Sequence, residues 1–222
     1  SNLSTVVEPS RVSIPKRSYG FTISQSHDTL PVIGIIDTGI SSLTPLRSIL
    51  LDDTFDLTGT GSNVDNANHG TGVAALAAMG KRPYALNYRG EINSDARLLS
   101  IKVMDASSSN LKPSDVIKLL NEVNRKYPEV KTFVLTIASE MHKRNDEDHS
   151  IYAAELDRFS YENDCLIFIS TANNNKAADD NTGYNLGYFG NEVTNLCSPA
   201  ESMNNITIGA ASDNITGNIG WA

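Results

Sequence analysis

"PVIGIIDTGISS", residues 31–42, is the stretch from which the fold can be read. Its apolar run, residues 32–36, stops at Asp37 and passes directly into Thr38 and Gly39. A run that is apolar throughout, rather than alternating, reads as a strand buried on both faces, and such strands belong to parallel sheets. Asp37 then sits at the strand's carboxyl end, where functional groups gather in open parallel sheets. Taken alone, an Asp at a strand end also serves as an Asx-turn or a helix cap, so other residues must give it a role.

The rest of the chain extends the pattern. "GTGVAALAAMG" (70–80) follows a polar loop and reads as a buried helix of small residues. "ARLLSIKVMD" (96–105) reads as a second strand. Residues 112–128 read as an amphipathic helix with Val116, Ile117, Leu119, Leu120 and Val123 on one face, Ser114 as N-cap and Pro128 as its stop. "KTFVLTIAS" (131–139) is a third strand, residues 151–164 a second amphipathic helix, and residues 165–172 and 204–212 two further strands. Strands alternating with helices imply βαβ units, hence an α/β fold with a mainly parallel sheet covered on both faces. Residues 1–30 are polar, carry Pro9 and Pro15, and read as an N-terminal arm or linker; residues 31–222 read as one domain without internal repeats.

The 222 residues are 40% hydrophobic and 20% charged, ordinary values for a globular chain with length enough to bury a core. The net charge of −8 argues against nucleic acid as a partner, because phosphate binding needs a basic face. No apolar run approaches the ~18 residues that would cross a membrane. No signal peptide is visible, and cytoplasmic and secreted locations both stay open. Two cysteines, Cys165 and Cys197, make no disulfide framework.

Two more segments bear on Asp37. In "NANHGTGVAALAAMG", His69 stands at the start of the small-residue helix, thirty-two residues after Asp37, with Gly70 and Gly72 permitting close approach. A helix N-terminus disfavours imidazolium, and a nearby carboxylate would offset that and fix the tautomer. In "LIFISTANNNK" a buried strand ends in three asparagines, whose amides can serve as oxyanion donors or as turn formers.

In this order the pieces resemble the subtilisin-like serine proteases, from about residue 31 onward. "VIGIIDTGI" looks like the family's Asp block, and "SSLTPL" is similar to its tail. "NHGTGVAALAA" resembles the His block, and "DARLLSIKVMD" the strand that follows it. "ISTANN" resembles the oxyanion block, and "CSPAESMNNITIGAAS" the later Pro-Ala block. The resemblance implies a three-layer α/β/α subtilisin-like fold and peptide-bond hydrolysis by an Asp-His-Ser triad. It assigns Asp37 to orienting the histidine, His69 to general base, and Asn174 to the oxyanion. Ala138, Ser139, Glu140 and Asn173 fall at positions that line the substrate. It implies a peptide or protein substrate, no nucleic acid or membrane partner, and no cofactor. Structural calcium occurs in the family, but no ligand set can be assigned here.

The sequence departs from the family pattern in places. Gly72 and Ala75 replace a His and a Gly of the His block, and Asn173 replaces the Gly before the oxyanion Asn. Ala138-Ser139-Glu140 replaces the substrate-pairing Ser-Leu-Gly; Glu140 would favour basic substrate side chains. The Gly-Thr-Ser nucleophile block is expected after all of these, so the peptidase domain reads as incomplete at its C-terminus and inactive by itself. A non-catalytic peptide-binding module of the same fold is the alternative. The Asp-Thr-Gly tripeptide also suits aspartic proteases, but those are all-β and need two such loops. "EMHKRNDEDHS" (140–150) reads as a solvated loop rather than a metal site, and "DLTGTGSN" (56–63) as a surface loop rather than a phosphate loop.

Overall fold

A computed structural model describes residues 3–5, 20–23, 28–53, 55–106, 111–139, 142–172 and 192–209. In chain order the elements are β1 (Leu3–Thr5), β2 (Gly20–Ile23), β3 (Val32–Asp37), β4 (Phe55–Asp56), α1 (Gly70–Met79), α2 (Arg82–Ala85), β5 (Arg89–Ile92), β6 (Arg97–Lys102), α3 (Pro113–Lys126), β7 (Thr132–Leu135), β8 (Ile137–Ser139), α4 (Ile151–Asn163), β9 (Leu166–Ser170) and β10 (Ile206–Ile208). Asn173, Asn174 and Glu140 lie outside the described residues. Among the described residues no helix is long and apolar enough to cross a membrane.

Six strands form the central sheet in the order β10-β9-β7-β3-β6-β4. Every neighbouring pair is parallel. β3 lies inside the sheet, flanked by two later strands, β6 and β7. The chain builds outward on one side through α1 to β6, then crosses β3 through α3 to reach β7. β3 is therefore where the winding direction reverses, and in open α/β sheets ligands bind at that switch, beyond the carboxyl ends of the strands.

The apolar run of β3 serves both faces. Val32 and Ile36 join the cluster formed with α3 and α4, while Ile35 packs toward α1 with Ala74, Ala78 and Met79. Gly34 interrupts the strand because Phe133 of β7 fills the space over it: a Cβ there would lie 2.4 Å from the ring. α3 is amphipathic as expected, with Val116, Leu119, Leu120 and Val123 buried. Its cap differs from expectation. Lys112 takes the cap position instead of Ser114, because Pro113 occupies the first helical position, where its fixed φ fits and its missing N–H costs nothing. Ser150 caps α4 by accepting from the Ala153 amide at 3.1 Å.

The stretch expected as one strand over 131–139 divides at Thr136. β7 stays in the main sheet, while β8 leaves it and pairs antiparallel with β1, Leu3 opposite Ser139 and Thr5 opposite Ile137. Within the stretch read as an arm, β2 likewise pairs in parallel with β5. The two cysteines are free thiols. α1 is less enclosed than its composition implies, since Leu76 is 56% exposed.

The start of α1 abuts the turn after β3. A Cβ on Gly70 would lie 2.3 Å from the Gly39 carbonyl oxygen, whereas one on Gly72 would meet nothing within 4 Å. Gly70→Ala should therefore destabilise the fold by about 2 kcal/mol or more through overpacking. Gly72→Ala should stabilise it by up to about 1 kcal/mol through helix propensity. Urea unfolding of the two variants checks the opposite signs.

Candidate active site

Asp37 closes β3 with its side chain fully buried. A buried carboxylate must be satisfied by donors, and three reach it. The Thr38 amide donates to Oδ1 at 2.6 Å. Thr136, at the break between β7 and β8, donates through Oγ1 to Oδ2 at 2.6 Å. The third donor is His69, whose Nδ1 lies 2.8 Å from Oδ1 and 2.9 Å from Oδ2. With Nδ1 turned to the carboxylate, the neutral ring keeps its proton there. Nε2 then carries the lone pair, the state a general base needs.

His69 occupies the position just before α1, and its side chain is 34% exposed. The hydrogen bond to Asp37 is the main influence on its acidity and raises its pKa above the usual 6.5. Burial pulls the other way, and the charges of Asp37 and Asp65 add to the rise. Among the described residues no serine hydroxyl hydrogen-bonds to His69.

A second layer holds this pair. Asp65 accepts from Thr38 Oγ1 at 2.8 Å and from the Thr71 amide at 2.9 Å. The Gly70 amide donates to Thr38 Oγ1 at 3.0 Å. Lys102, fully buried on β6, stands in register with Asp37 on one side and Asp56 on the other, and donates to the Val64 carbonyl at 2.7 Å.

The structure thus brings together Asp37 and His69, two of the residues singled out in the sequence. Ala138 and Ser139 lie on β8, buried, beyond Thr136. The β8 edge carries β1, and the Ser139 amide donates to the Ser198 carbonyl at 2.7 Å. The sequence reading missed Thr136, Thr38 and Asp65. Asp65 had a signal, an acid four residues before His69 in a turn-rich loop. Thr136 had none, because its partner is 99 positions away.

Among the described residues no group of three or more His, Cys, Asp or Glu gathers in a way that could hold a metal ion. His142 bonds instead to the Asn195 carbonyl at 2.8 Å, and His149 approaches Asp157 at 3.6 Å. The loop over 142–150 is anchored at both ends by its histidines.

A parallel sheet with a buried Asp and a partly exposed His paired at its carboxyl edge defines an α/β protein with an acid–base pair at the switch point. The chain belongs to the subtilase family, whose model (Peptidase S8) matches residues 28–219. No curated protein matches the chain. Among solved structures it is similar to the prenylagaramide maturation protease PagA, at 15% identity and TM-score 0.52, over 82% of this chain and 54% of that one. It is similar also to sphericase, at 20% identity and TM-score 0.50, over 87% and 56%. The patellamide maturation protease PatA matches at 13% and TM-score 0.50, over 82% and 57%. At such identities the likeness shows the fold, and the chain spans little more than half the length of these proteins.

The raised His69 pKa has a consequence for stability. A group whose folded pKa lies above its unfolded value stabilises the fold fully below the unfolded value, near 6.5, and that contribution is lost as pH rises through the folded value. Wild type should therefore lose stability relative to His69→Gln as pH rises from about 6.5 through the raised folded-state value. Urea midpoints across that range test the sign.

Proposed function

We propose that this chain carries the base and carboxylate of a serine endopeptidase site that cleaves peptide bonds through an acyl-enzyme. The observation that carries the reading is the Asp37–His69 geometry, with Nδ1 held by both carboxylate oxygens at the sheet's switch point. In this reading Asp37 holds the imidazole in one tautomer and stabilises its protonated form. His69 Nε2 takes the proton of a serine hydroxyl as it attacks the substrate carbonyl, then returns it to the leaving amine. Asn174 donates to the oxyanion, a contact worth about 10²–10³ in rate. Ala138, Ser139, Glu140 and Asn173 line the substrate, a peptide or protein segment in extended form. The serine belongs to a Gly-Thr-Ser block that residues 1–222 do not contain.

A fluorophosphonate probe tests this. The 222-residue chain should stay unlabelled, whereas a version including a Gly-Thr-Ser block should be labelled, and His69→Ala in that version should abolish labelling. Labelling of the short chain at any of its own serines contradicts the assignment, and a silent longer version ends the enzyme reading.

The β8 edge favours a second reading, a module that holds peptides without cleaving them. β1 pairs there antiparallel, so this edge accepts an extended strand. Deleting residues 1–5 should raise the affinity for a fluorescent extended peptide by about tenfold or more, because an intramolecular strand competes at high effective concentration. Equal anisotropy titrations for the two chains would remove this reading.

A further inference from the structure

We propose that Asp65 is the positioning residue of this site: one buried carboxylate ties the turn that follows Asp37 to the helix start that follows His69, and its charge offsets the positive helix end behind the imidazole. The proposal rests on the endopeptidase reading only for the name of the reaction; the geometry stands without it.

The wiring is specific. Asp65 is 9% exposed. Its Oδ1 accepts the single proton of the Thr38 hydroxyl. That commitment turns a lone pair of the same hydroxyl toward the Gly70 amide, which donates to it. Its Oδ2 accepts the Thr71 amide. Thr38 is the residue whose own amide donates to Asp37, and Gly70 is the residue next to His69. Both segments of the Asp–His pair are therefore clamped one residue away from the chemistry. The short link from Asp65 to His69 runs through Asn68 in a left-handed conformation, φ 57°, which closes the loop back on itself.

Asp65 also supplies what α1 lacks. His69 occupies the cap position but makes no capping bond with its side chain, and the first turn of α1 holds no acidic residue. An imidazolium there would face unsatisfied amides and the positive end of the helix dipole. Asp65 satisfies the Thr71 amide and sets a negative charge beside that end. Among the described residues the charged groups about His69 are Asp37 from β3 and Asp65 from the entering loop. Lys102 of β6 lies beneath that loop and bonds to the Val64 carbonyl.

The test is an NMR titration of the His69 ring in the 222-residue chain, its resonance assigned by loss in His69→Ala. Asp65→Asn should lower the proton-binding constant of His69 by about threefold or more, the size expected for removing a nearby but uncontacted charge. Thr38→Val keeps both charges but cuts the link, so it should weaken the Asp37–His69 bond and lower the constant by less than Asp37→Asn does. That weakening reads as loss of a downfield Nδ1 proton, and Thr38→Ser should restore it. Asp37→Asn is the control. If it leaves His69 unchanged, the Asp–His pair itself is misread and the endopeptidase reading falls with it. If Asp37→Asn lowers the constant but a folded Asp65→Asn does not, only the role of Asp65 is overturned. Should Asp65→Asn fail to fold, an Nδ1 proton unmoved in Thr38→Val overturns the clamp.

Discussion

A buried negative charge at the end of β3 disciplines the rest of the structure. Asp37 is fully enclosed, so each donor it loses leaves buried negative charge less satisfied, which is costlier than a lost surface hydrogen bond. Its donors come from the adjoining turn, the start of α1 and the break between β7 and β8. Those segments can meet only if β3 lies between its sheet neighbours in the observed register, with α1 returning across it. Folding correctly and presenting His69 correctly are one constraint.

The charge beneath is balanced in the same manner. At the carboxyl edge of the sheet Asp37, Lys102 and Asp56 stand abreast on three adjacent strands. A buried lysine needs compensating groups: Lys102 stands in register between Asp37 and Asp56, its charge stabilises the Asp56 carboxylate, and its ammonium donates to the Val64 carbonyl. Its stem runs against Gly39, where a Cβ would sit 3.2 Å from the lysine Cδ and 2.5 Å from the Val64 oxygen. Gly39 is also at φ 103°, a conformation open to glycine. The Asp-Thr-Gly tripeptide thus reads as three jobs: a carboxylate for His69, a hydroxyl and amide linking two acids, and a residue without a side chain over Lys102.

Much of this was legible in the sequence where a local pattern carried it. Residues 32–37 read as a doubly buried strand, and the strand spans Val32–Asp37. The stripe of Val116, Leu119, Leu120 and Val123 gave α3 because amphipathic spacing is a property of neighbours. The pairing of Asp37 with His69 came from the order of motifs resembling a family. What stayed hidden was tertiary. Residues 131–139 look like one strand because nothing local marks Thr136, whose side chain serves a carboxylate on another strand. Thr38 looked like part of a signature rather than a bridge, because its partners Asp65 and Gly70 lie about thirty residues on. Ser114 looked like a cap by residue type, and Pro113 overrode it by geometry. For Asn173, Asn174 and Glu140 the described residues supply no geometry.

The two faces of the sheet differ. Facing α3 and α4, Phe133, Leu135, Ile167 and Ile169 are wholly buried. On the other face α1 covers β3 and β6, but the cover thins toward β10. Val134 and Phe168, matched across β7 and β9, are only half-buried, and Ile206, matched to Phe168, is 40% exposed. Leu76 on α1 stands exposed as well. A parallel sheet is stable when both faces are covered, so the apolar strip beside α1 calls for a further element that the described residues do not provide.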